Sequence, residues 1–420
     1  MNILMRTLLI KLLQYWGIQF FIGAFVSLYL VGVVMWNADL HSWFTVAIKG
    51  QSLCLMVGVY LCTFFSINRF SIHLHNLSYR YIIPIFSFWL MVALLCLLIF
   101  RLSYSVYYLG GSGIVMLSLF LFFEYINMVY DKKIVGYLPF GNIYTPEVSF
   151  ITWVKIDDAQ KVDKNIDIIM ADLRAGLPNK WMFFLADCSL KGIPVYHSSR
   201  LLEMVLGRVK IDHMYENELG SLLPSKRYQV IKRIIDVFLV IVSLPITFPL
   251  LIITGLVVMI DTKAWCIFSQ IRIGQGGKPF VMYKFRSMCK RLENTGAKFT
   301  KHNDFRITSI GRFIRKTRID ELPQLFNVLR GDMSLIGPRP EQVECVENFN
   351  KEIPFYNYRH IVKPGISGWA QVEYGYTENV AETKVKLEYD FYYIKNLSFS
   401  FDLLIFFKTI RTIITGFGAR

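Results

Sequence analysis

The chain has 420 residues, of which 54% are apolar, 15% are aromatic and only 18% are charged. This charged fraction lies well below the roughly 25% of soluble domains, so composition argues against an ordinary soluble protein. The formal net charge of +15 predicts an anionic partner, and both a membrane surface and a nucleic acid fit that number. Seven cysteines without a C-x-x-C pair argue against a disulfide framework and against a structural zinc site.

The first 130 residues contain four long apolar stretches, each near or above the roughly 20 residues that span a bilayer. The stretches are 8–36, 43–67, 81–100 and 106–126. Positive charge lies before and at the start of the first stretch (Arg6 and Lys11), between the second and third (Arg69 and Arg80), and after the fourth. The positive-inside rule therefore predicts a four-helix transmembrane bundle over 1–130 with both ends in the cytoplasm. Buried helices of a soluble domain are the alternative.

Residues 131–225 have the composition of a soluble α/β segment. The short apolar runs 148–156, 166–171 and 181–186 predict strands, and 197–209 predicts a helix. Alternation of this kind favours a small parallel sheet. No G-x-G-x-x-G follows a predicted strand, so we expect no dinucleotide site here. A structural spacer and a regulatory module both remain open.

The apolar segment 237–260 is long enough to be a fifth span. Pro245 and Pro249 lie near its middle, where each removes a helix hydrogen bond and bends the axis, and Ser243 can satisfy a freed carbonyl. Basic residues flank the segment on both sides, which the positive-inside preference allows only if the chain enters and leaves on one face. We therefore expect a re-entrant helix over 232–260, broken at Ser243 and Pro245, with a full span as the alternative.

Residues 315–340, RKTRIDELPQLFNVLRGDMSLIGPRP, place adjacent carboxylates Asp320 and Glu321 between a basic run and a rigid Gly-Pro-Arg-Pro turn. Apolar residues at helical spacing follow, with Pro323 tolerated in the first turn and Gly331 as the stop. A helix start attracts anions, so a phosphorylated substrate is expected to bind here. The alternative is that Asp320 merely caps the helix beside a solvated basic surface.

Four further stretches complete the C-terminal part. QIRIGQGGKPF (270–280) predicts a strand, a glycine turn and a second strand. YKFRSM (283–288) places Lys284 and Arg286 on one face of an extended segment. RHIVKPGISGWAQV (359–372) predicts a constrained loop, and the tail 403–414 suits either a helix in the membrane interface or a packed terminal helix.

Taken in order, six motifs of residues 226–420 resemble the catalytic domain of bacterial polyprenyl-phosphate hexose-1-phosphate transferases. They are KRIID (232–236), the proline-broken segment, YKFRSM, RIDELPQLFNVLRGDMSLIGPRP, KPGISGWAQV and YDFYYIKN (389–396). Residues 1–223 resemble, by layout, the four-helix bundle and Rossmann-like insert of the family's larger members. The resemblance implies an N-terminal four-helix transmembrane bundle (1–130), a small Rossmann-like α/β middle domain (131–225) and an α/β catalytic domain with a re-entrant membrane helix (226–420).

The resemblance also implies an activity. A sugar-1-phosphate would pass from a UDP-sugar to undecaprenyl phosphate with release of UMP, at the cytoplasmic face of the bacterial inner membrane. This is the first membrane step of exopolysaccharide, capsule or O-antigen synthesis. Mapped onto this sequence, the family's roles make Asp320 the nucleophile, through a covalent aspartyl phosphosugar, and Glu321 the Mg²⁺ ligand. The expected phosphate-binding residues are Lys284, Arg286, Arg318 and Arg339, and Asp390 is a further structural or catalytic candidate.

The expected partners are therefore the UDP-sugar, undecaprenyl phosphate, the membrane and Mg²⁺. The identity of the sugar and a homodimer are left open. A non-catalytic membrane scaffold for polysaccharide assembly is the alternative function, although a scaffold has no need of Asp320, Glu321 and Arg339 together. No nucleic acid is expected, because the basic residues lie beside carboxylates and apolar segments and form no recognisable binding module.

Overall fold

The computed structural model describes residues 13, 15–37, 39–71, 82–130, 132–141, 143–148, 150–159, 166–211, 223–288, 306–375 and 379–415. The chain separates into two compact units, Met1–Leu206 and Gly207–Arg420. The predicted domain limits of 1–130, 131–225 and 226–420 stay predictions.

The first unit begins with four apolar helices long enough to cross a membrane, with one short helix between the first two. They are α1 (Trp16–Trp36), the short α2 (Leu40–Thr45), α3 (Ala47–Ser71), α4 (Ile82–Phe100) and α5 (Val106–Tyr130). Their facing side chains form one cluster that includes Tyr60, Phe86 and Tyr108. Several apolar helices in this region are thus confirmed, whereas Arg6, Lys11 and Arg80, which set the predicted orientation, lie outside the described residues.

A four-stranded, fully parallel sheet follows in the order β2-β1-β3-β4. Its elements are β1 (Lys133–Tyr137), β2 (Ile151–Lys155), β3 (Ile168–Ala171), α6 (Asn179–Leu190), β4 (Val195–His197) and α7 (Ser198–Leu206). Consecutive residues of β3 point to opposite faces: Ile169 packs with Trp181 of α6, and Met170 packs with Leu201 of α7. Both faces are therefore covered, as parallel sheets require.

One predicted strand of this region is wrong. The run 181–186 lies inside α6, where Trp181, Phe184, Leu185 and Cys188 are buried at the i, i+3, i+4 and i+7 spacing of a helix. A short, continuous apolar run cannot be assigned by periodicity alone, and the decisive Cys188 lies beyond it. The strands β2 and β3 do fall inside the predicted runs 148–156 and 166–171.

The second unit is a mixed α/β domain. After the long helix α8 (Lys226–Thr262), the strands β5 (Ile267–Ile273) and β6 (Pro279–Phe285) form the predicted hairpin, and β7 (Ser334–Ile336) pairs in parallel with β8 (Gly365–Ser367). Its other helices are α9 (Ser309–Lys316), α10 (Gln324–Arg330), α11 (Val343–Glu352), α12 (Trp369–Glu373), α13 (Val380–Lys395) and α14 (Phe399–Thr415), with 3₁₀ turns at Ile319–Glu321 and Tyr356–Ile361.

Helix α8 is one continuous helix of 37 residues, although Pro245 and Pro249 lie inside it. Two hydroxyl groups donate to carbonyls near the prolines: Ser243 Oγ to Val240 O at 2.8 Å, and Thr247 Oγ1 to Ser243 O at 3.0 Å. Such side-chain bonds to the preceding turn accompany helix bends. The re-entrant path and the break at Ser243 and Pro245 stay predictions.

The start of α8 is tied to the domain by polar contacts. Lys232 Nζ lies 2.7 Å from Asp402 Oδ2 of α14, and Ser334 Oγ of β7 donates to Asp236 Oδ2 at 2.6 Å. Arg233 Nη2 donates to Leu329 O at 2.8 Å, at the carboxyl end of α10. The KRIID motif therefore anchors α8 to the α/β domain of the second unit.

Both halves of the apolar part of α8 belong to hydrophobic clusters that contain a residue of β6. Val240 clusters with Met282, and Val258 clusters with Phe285, only three residues further along β6. A straight helix would separate the two valines by about 27 Å, whereas three strand residues span about 10 Å. The apolar segment therefore lies along the domain rather than leading away from it.

Two stretches of the C-terminal part can be compared with their sequence expectations. Residues 359–372 contain part of a 3₁₀ turn, β8 and the start of α12 rather than a loop. Helix α14 is a packed terminal helix, since Phe401, Leu404, Ile405 and Phe407 are fully buried and Lys408 pairs with Glu373. Of the two alternatives for the tail, the packed helix is the one observed.

Candidate active site

Asp320 and Glu321 lie in the 3₁₀ turn that joins α9 to α10. Arg318, just before the turn, has a left-handed φ of 59°, which is uncommon for a residue other than glycine and reverses the chain direction. Helix α10 begins at Gln324 with Pro323 as its N-cap residue. The carboxylate of Asp320 therefore does not cap the helix, and the cap alternative is wrong.

An asparagine fixes the helix that carries this turn against the neighbouring strand. Asn327 of α10 is fully buried; its Nδ2 donates to Val281 O at 2.7 Å, and its Oδ1 accepts from Tyr283 N at 3.1 Å. Buried amides need such partners, and here both are backbone groups of β6. As a result, the next residue of the strand, Lys284, is held beside the carboxylate pair of Asp320 and Glu321, called the dyad below.

Lys284 is the cation of β6. Its Nζ lies 5.1 Å from the ring centroid of Phe268, its partner in the hairpin, in a cation–π contact. Burial, together with the charges of Arg272 and Arg315, lowers the pKa of Lys284 to about 8, against the opposing effect of Asp320. Arg286 lies one residue beyond the end of β6, where its backbone N–H donates to Cys266 O at 2.8 Å.

The pKa of the Asp320 carboxyl group is shifted towards neutral pH. Burial, and then the charge of Glu321, raise its pKa to about 6, while Lys284, Arg315 and Arg339 act in the opposite direction. At neutral pH the carboxylate is ionised in a site that does not solvate it well. Perturbed carboxylates of this kind cluster at functional sites.

Glu321 is held differently from its neighbour. Arg339 Nη2 lies 2.9 Å and Arg318 Nη1 lies 3.5 Å from its Oε1, and the residue is only 7% exposed. Burial alone would raise the pKa of Glu321, but the two guanidinium groups outweigh it and hold the pKa below its ordinary value. Glu321 is therefore ionised across the neutral range, and Arg339 is aimed at the dyad.

The structure brings five of the predicted residues together: Asp320, Glu321, Lys284, Arg318 and Arg339. Their roles stay predictions. Asp390 lies apart from them, 2% exposed, with its Oδ2 2.8 Å from Arg359 Nη2.

Two cations were missed as individual site residues. Arg315 Nε donates to Ser287 Oγ at 2.7 Å, and its charge acts on both Asp320 and Lys284. It was visible as part of the basic run before the dyad, but nothing in that run distinguished it from its neighbours. Arg272 alternates with apolar residues in β5, which was the available signal.

An apolar cavity of about 560 Å³ lies beside the dyad turn. It is bounded by the second half of α8, by the hairpin and by the start of α10. Its wall includes Leu251, Gly255, Met259, Trp265, Tyr283, Leu322, Pro323 and Phe326. The cavity can take an apolar chain next to the charged site.

Comparison with known proteins agrees with this architecture. The family model described as bacterial sugar transferase matches residues 227–416. Over 96% of this chain and 95% of the relative, identity is 43% to the UDP-N-acetylgalactosamine-undecaprenyl-phosphate N-acetylgalactosaminephosphotransferase of Aeromonas hydrophila. Identity is 37% to the UDP-glucose:undecaprenyl-phosphate glucose-1-phosphate transferase of Escherichia coli K12, over 59% of this chain and 53% of the relative. Identity is 36% to the exopolysaccharide production protein PSS of Rhizobium leguminosarum, over 44% of this chain and 96% of the relative.

A carboxylate dyad within a cluster of cations, on a domain that carries a long apolar helix, defines a membrane-associated enzyme. The chain belongs to the bacterial sugar transferase family, and its resemblance to the polyprenyl-phosphate hexose-1-phosphate transferases is confirmed.

Proposed function

We propose that the chain transfers a sugar-1-phosphate from a UDP-sugar to undecaprenyl phosphate and releases UMP, through a covalent intermediate on Asp320. The observation that carries this proposal is the pairing of a partly desolvated carboxylate, Asp320, with a clamped and ionised neighbour, Glu321, among several cations. The names of the relatives support the two substrate classes.

The reaction needs two displacements at one phosphorus atom. A carboxylate oxygen of Asp320 attacks the phosphorus that bears the sugar; the bond to the UMP oxygen breaks, and UMP leaves with the electron pair. A phosphate oxygen of undecaprenyl phosphate then attacks the same phosphorus and expels the Asp320 carboxylate. Covalent catalysis of this kind splits one difficult step into two easier ones.

The cations supply the positioning and charge neutralisation that phosphoryl transfer asks of a protein. Arg339 offers a planar fork of donors suited to a phosphate, and it is already oriented by Glu321. Lys284 and Arg315 add positive charge that also acts on Asp320. Arg318 and Arg286 remain proposed phosphate ligands.

The donor set suits Mg²⁺, which commonly binds through one or two carboxylates together with substrate phosphate oxygens and water. Asp320 and Glu321 are such hard oxygen donors. Within the described ranges no group of three or more His, Cys, Asp or Glu side chains is gathered, so the proposed ligands are these two carboxylates together with the substrate. When bound, Mg²⁺ would neutralise diphosphate charge. We propose that Glu321 holds it, because both guanidinium contacts of this carboxylate are made through Oε1.

Chelation is expected to remove activity reversibly. Protein treated with EDTA should release UMP at least about 100-fold more slowly, and added Mg²⁺ should restore the rate, because the diphosphate charge is then neutralised again. Na⁺ at equal ionic strength is the control. Full activity in EDTA would contradict the Mg²⁺ assignment.

The apolar cavity supports a lipid acceptor. Its wall is almost wholly hydrocarbon and includes Leu322, the residue after Glu321. An isoprenoid chain in this cavity would place its phosphate at the dyad. We propose that the first isoprene units of the acceptor lie there.

The proposed reaction is tested by incubating purified full-length protein with undecaprenyl phosphate, Mg²⁺ and one UDP-sugar at a time. UDP-N-acetylgalactosamine, UDP-glucose and UDP-galactose are the first donors to compare. UMP should form over many turnovers with at least one of them when the acceptor is in excess over enzyme, and no more than about one UMP per enzyme should form when the acceptor is omitted. Release with none of the UDP-hexoses or their N-acetylated forms would favour the scaffold instead.

The pH dependence follows from the two shifted groups. Asp320 attacks as the carboxylate, so kcat should rise as pH increases through about 6. Lys284 stabilises charge as the ammonium ion, so kcat should fall as pH increases through about 8. A bell between these limits is expected, measured by UMP release from pH 5 to 9.5. The Lys284→Arg variant should extend the alkaline limit, and an unchanged limit would exclude Lys284.

We further propose that the site faces the cytoplasm at the bacterial inner membrane, on a re-entrant α8. The clusters that Val240 and Val258 share with residues of β6 support this path, since both halves of the apolar segment then stay with the same domain. The basic flanks of the segment support it independently.

Thiol labelling tests the path. In a chain without its native cysteines, Lys278→Cys should be shielded from an impermeant maleimide in intact cells and labelled after permeabilisation. Asp39→Cys, in the loop expected outside, is the matched control and should label in both conditions. Labelling of Lys278→Cys in intact cells would mean that α8 crosses the membrane fully.

A further inference from the structure

The turn that carries Arg339 is held by four consecutive carbonyl groups. Pro338 O accepts from Gly365 N at 2.9 Å, and Glu341 O accepts from Ile273 N at 3.0 Å. Between them, Arg339 O accepts from Arg359 Nη2 at 2.9 Å, and Pro340 O accepts from Arg272 Nη1 at 3.2 Å. The two middle donors are guanidinium groups from distant parts of the chain. These four hydrogen bonds restrict the backbone conformation of residues 338–341.

Arg359 is itself fixed by a buried network. It is 3% exposed; its Nη2 lies 2.8 Å from Asp390 Oδ2, and its Nη1 donates to the hydroxyl of Tyr356 at 2.8 Å. The same network reaches the end of the turn, where Lys386 Nζ lies 2.7 Å from Glu341 Oε1. Buried ion pairs contribute little net stability compared with apolar packing, so their presence here calls for another account.

We propose that Arg359 and Asp390 are positioning residues for Arg339. Asp390 orients the Arg359 guanidinium, Arg359 holds the Arg339 carbonyl, and the Arg339 side chain is thereby presented to Glu321. The role rests on the proposed function, in which Arg339 binds a substrate phosphate. Misplacement of a catalytic group by about 1 Å can cost about 100-fold in rate, which is the effect that such a support prevents.

Asp390 acts through Arg359 rather than on substrate. Asp390 is only 2% exposed, and its carboxylate contacts the guanidinium of Arg359, which donates to the carbonyl of Arg339. Asp390 is therefore neither the nucleophile nor a metal ligand in this arrangement, and it takes the structural side of the two roles that the sequence left open.

A double-mutant cycle tests this role. Asp390→Asn should lower kcat for UMP release by about 10- to 100-fold while changing the donor KM by less than about threefold. In an Arg339→Met background, the same substitution should have almost no further effect on kcat, because the residue that it positions is gone. Equal losses in both backgrounds, or no loss in the parent, would overturn the proposal.

Two further variants serve as controls for a loss of folding: a milder substitution of Arg359 and the removal of another buried cation. Arg359→Lys keeps the positive charge beside Asp390 but loses the fork of donors, so it should reproduce the kinetic effect with less loss of stability. Lys408→Met removes another buried cation of the same domain, paired with Glu373, and should lower the unfolding temperature without the dependence on Arg339.

Amide hydrogen exchange gives a readout that needs no activity. Exchange at Gly337, Gly365 and Ile273, whose N–H groups donate in the hydrogen bonds at this turn, should become faster in Arg359→Lys and remain unchanged in Lys408→Met. Absence of UMP release by the parent protein would refute the proposed function and leave the exchange result to decide the positioning role. Unchanged exchange at these three amides would overturn it.

Discussion

Asp320→Asn is expected to abolish UMP release, with a loss of at least about 10³-fold, because the amide cannot form the covalent phosphosugar. The fold should not suffer. The pKa of Asp320 is raised in the folded state, so its stabilising contribution belongs to the protonated form and is lost as pH rises from about 4 to about 6. At pH 7.5 the neutral amide should therefore unfold at the same temperature as the parent or higher.

Trapping the intermediate separates this role from a binding role. With a donor labelled in the sugar and no acceptor, the parent protein should carry the label after denaturation, and Asp320→Asn should carry none. Asp332→Asn, at the other end of α10, is the matched control and should be labelled like the parent. Label retained on Asp320→Asn would assign the nucleophile elsewhere.

Arg339→Met is expected to have the second largest effect, a fall in kcat/KM of about 10²- to 10⁴-fold. Charge-assisted hydrogen bonds are worth roughly 1.5–3 kcal/mol each, and the guanidinium can offer two of them to a phosphate. The substitution also removes the nearest cation of Glu321, so the pKa of that carboxyl should move upwards. The lost phosphate contacts and the raised pKa of Glu321 should both slow the transfer of the phosphosugar.

Steady-state UMP release measures this effect, with two comparisons. Arg339→Lys should recover a minor part of the lost rate, since a point charge replaces the fork. Arg330→Met removes an exposed arginine from the carboxyl end of α10 and should stay within about threefold of the parent. An equally small loss in Arg339→Met would remove Arg339 from the site.

The longer elements of the fold could be predicted from the sequence, because each is marked by a local and repeated pattern of residues. The apolar helices follow from run length, and the hairpin of β5 and β6 follows from two extended runs around G-Q-G-G. Short elements were not readable: β4 has three residues, and α6 was hidden by an aromatic run whose helical period shows only when Cys188 is included. Nor did the sequence indicate that Gly207 belongs to the second unit, where its carbonyl accepts from Trp369 Nε1 at 2.7 Å.

The candidate site divides in the same way. Asp320, Glu321 and Arg339 are close in sequence and were predicted together from one motif. Asn327, Arg272 and Arg359 act through backbone groups of segments distant in sequence, and a hydrogen bond to a backbone carbonyl leaves no pattern in the side chains of its acceptor. Such partners emerge only once the chain is folded.

The polar anchor of α8 has a geometric consequence. Lys232, Arg233 and Asp236 fix the rotation of the helix about its axis, so the direction in which Val240 and Val258 point is set before the apolar part begins. One residue inserted after Asp236 would advance this part by about 1.5 Å and turn it by about 100°. Different side chains would then face β6, and the wall of the cavity would be rebuilt. The shape of the apolar cavity therefore depends on the number of residues between the polar anchor and the cavity wall.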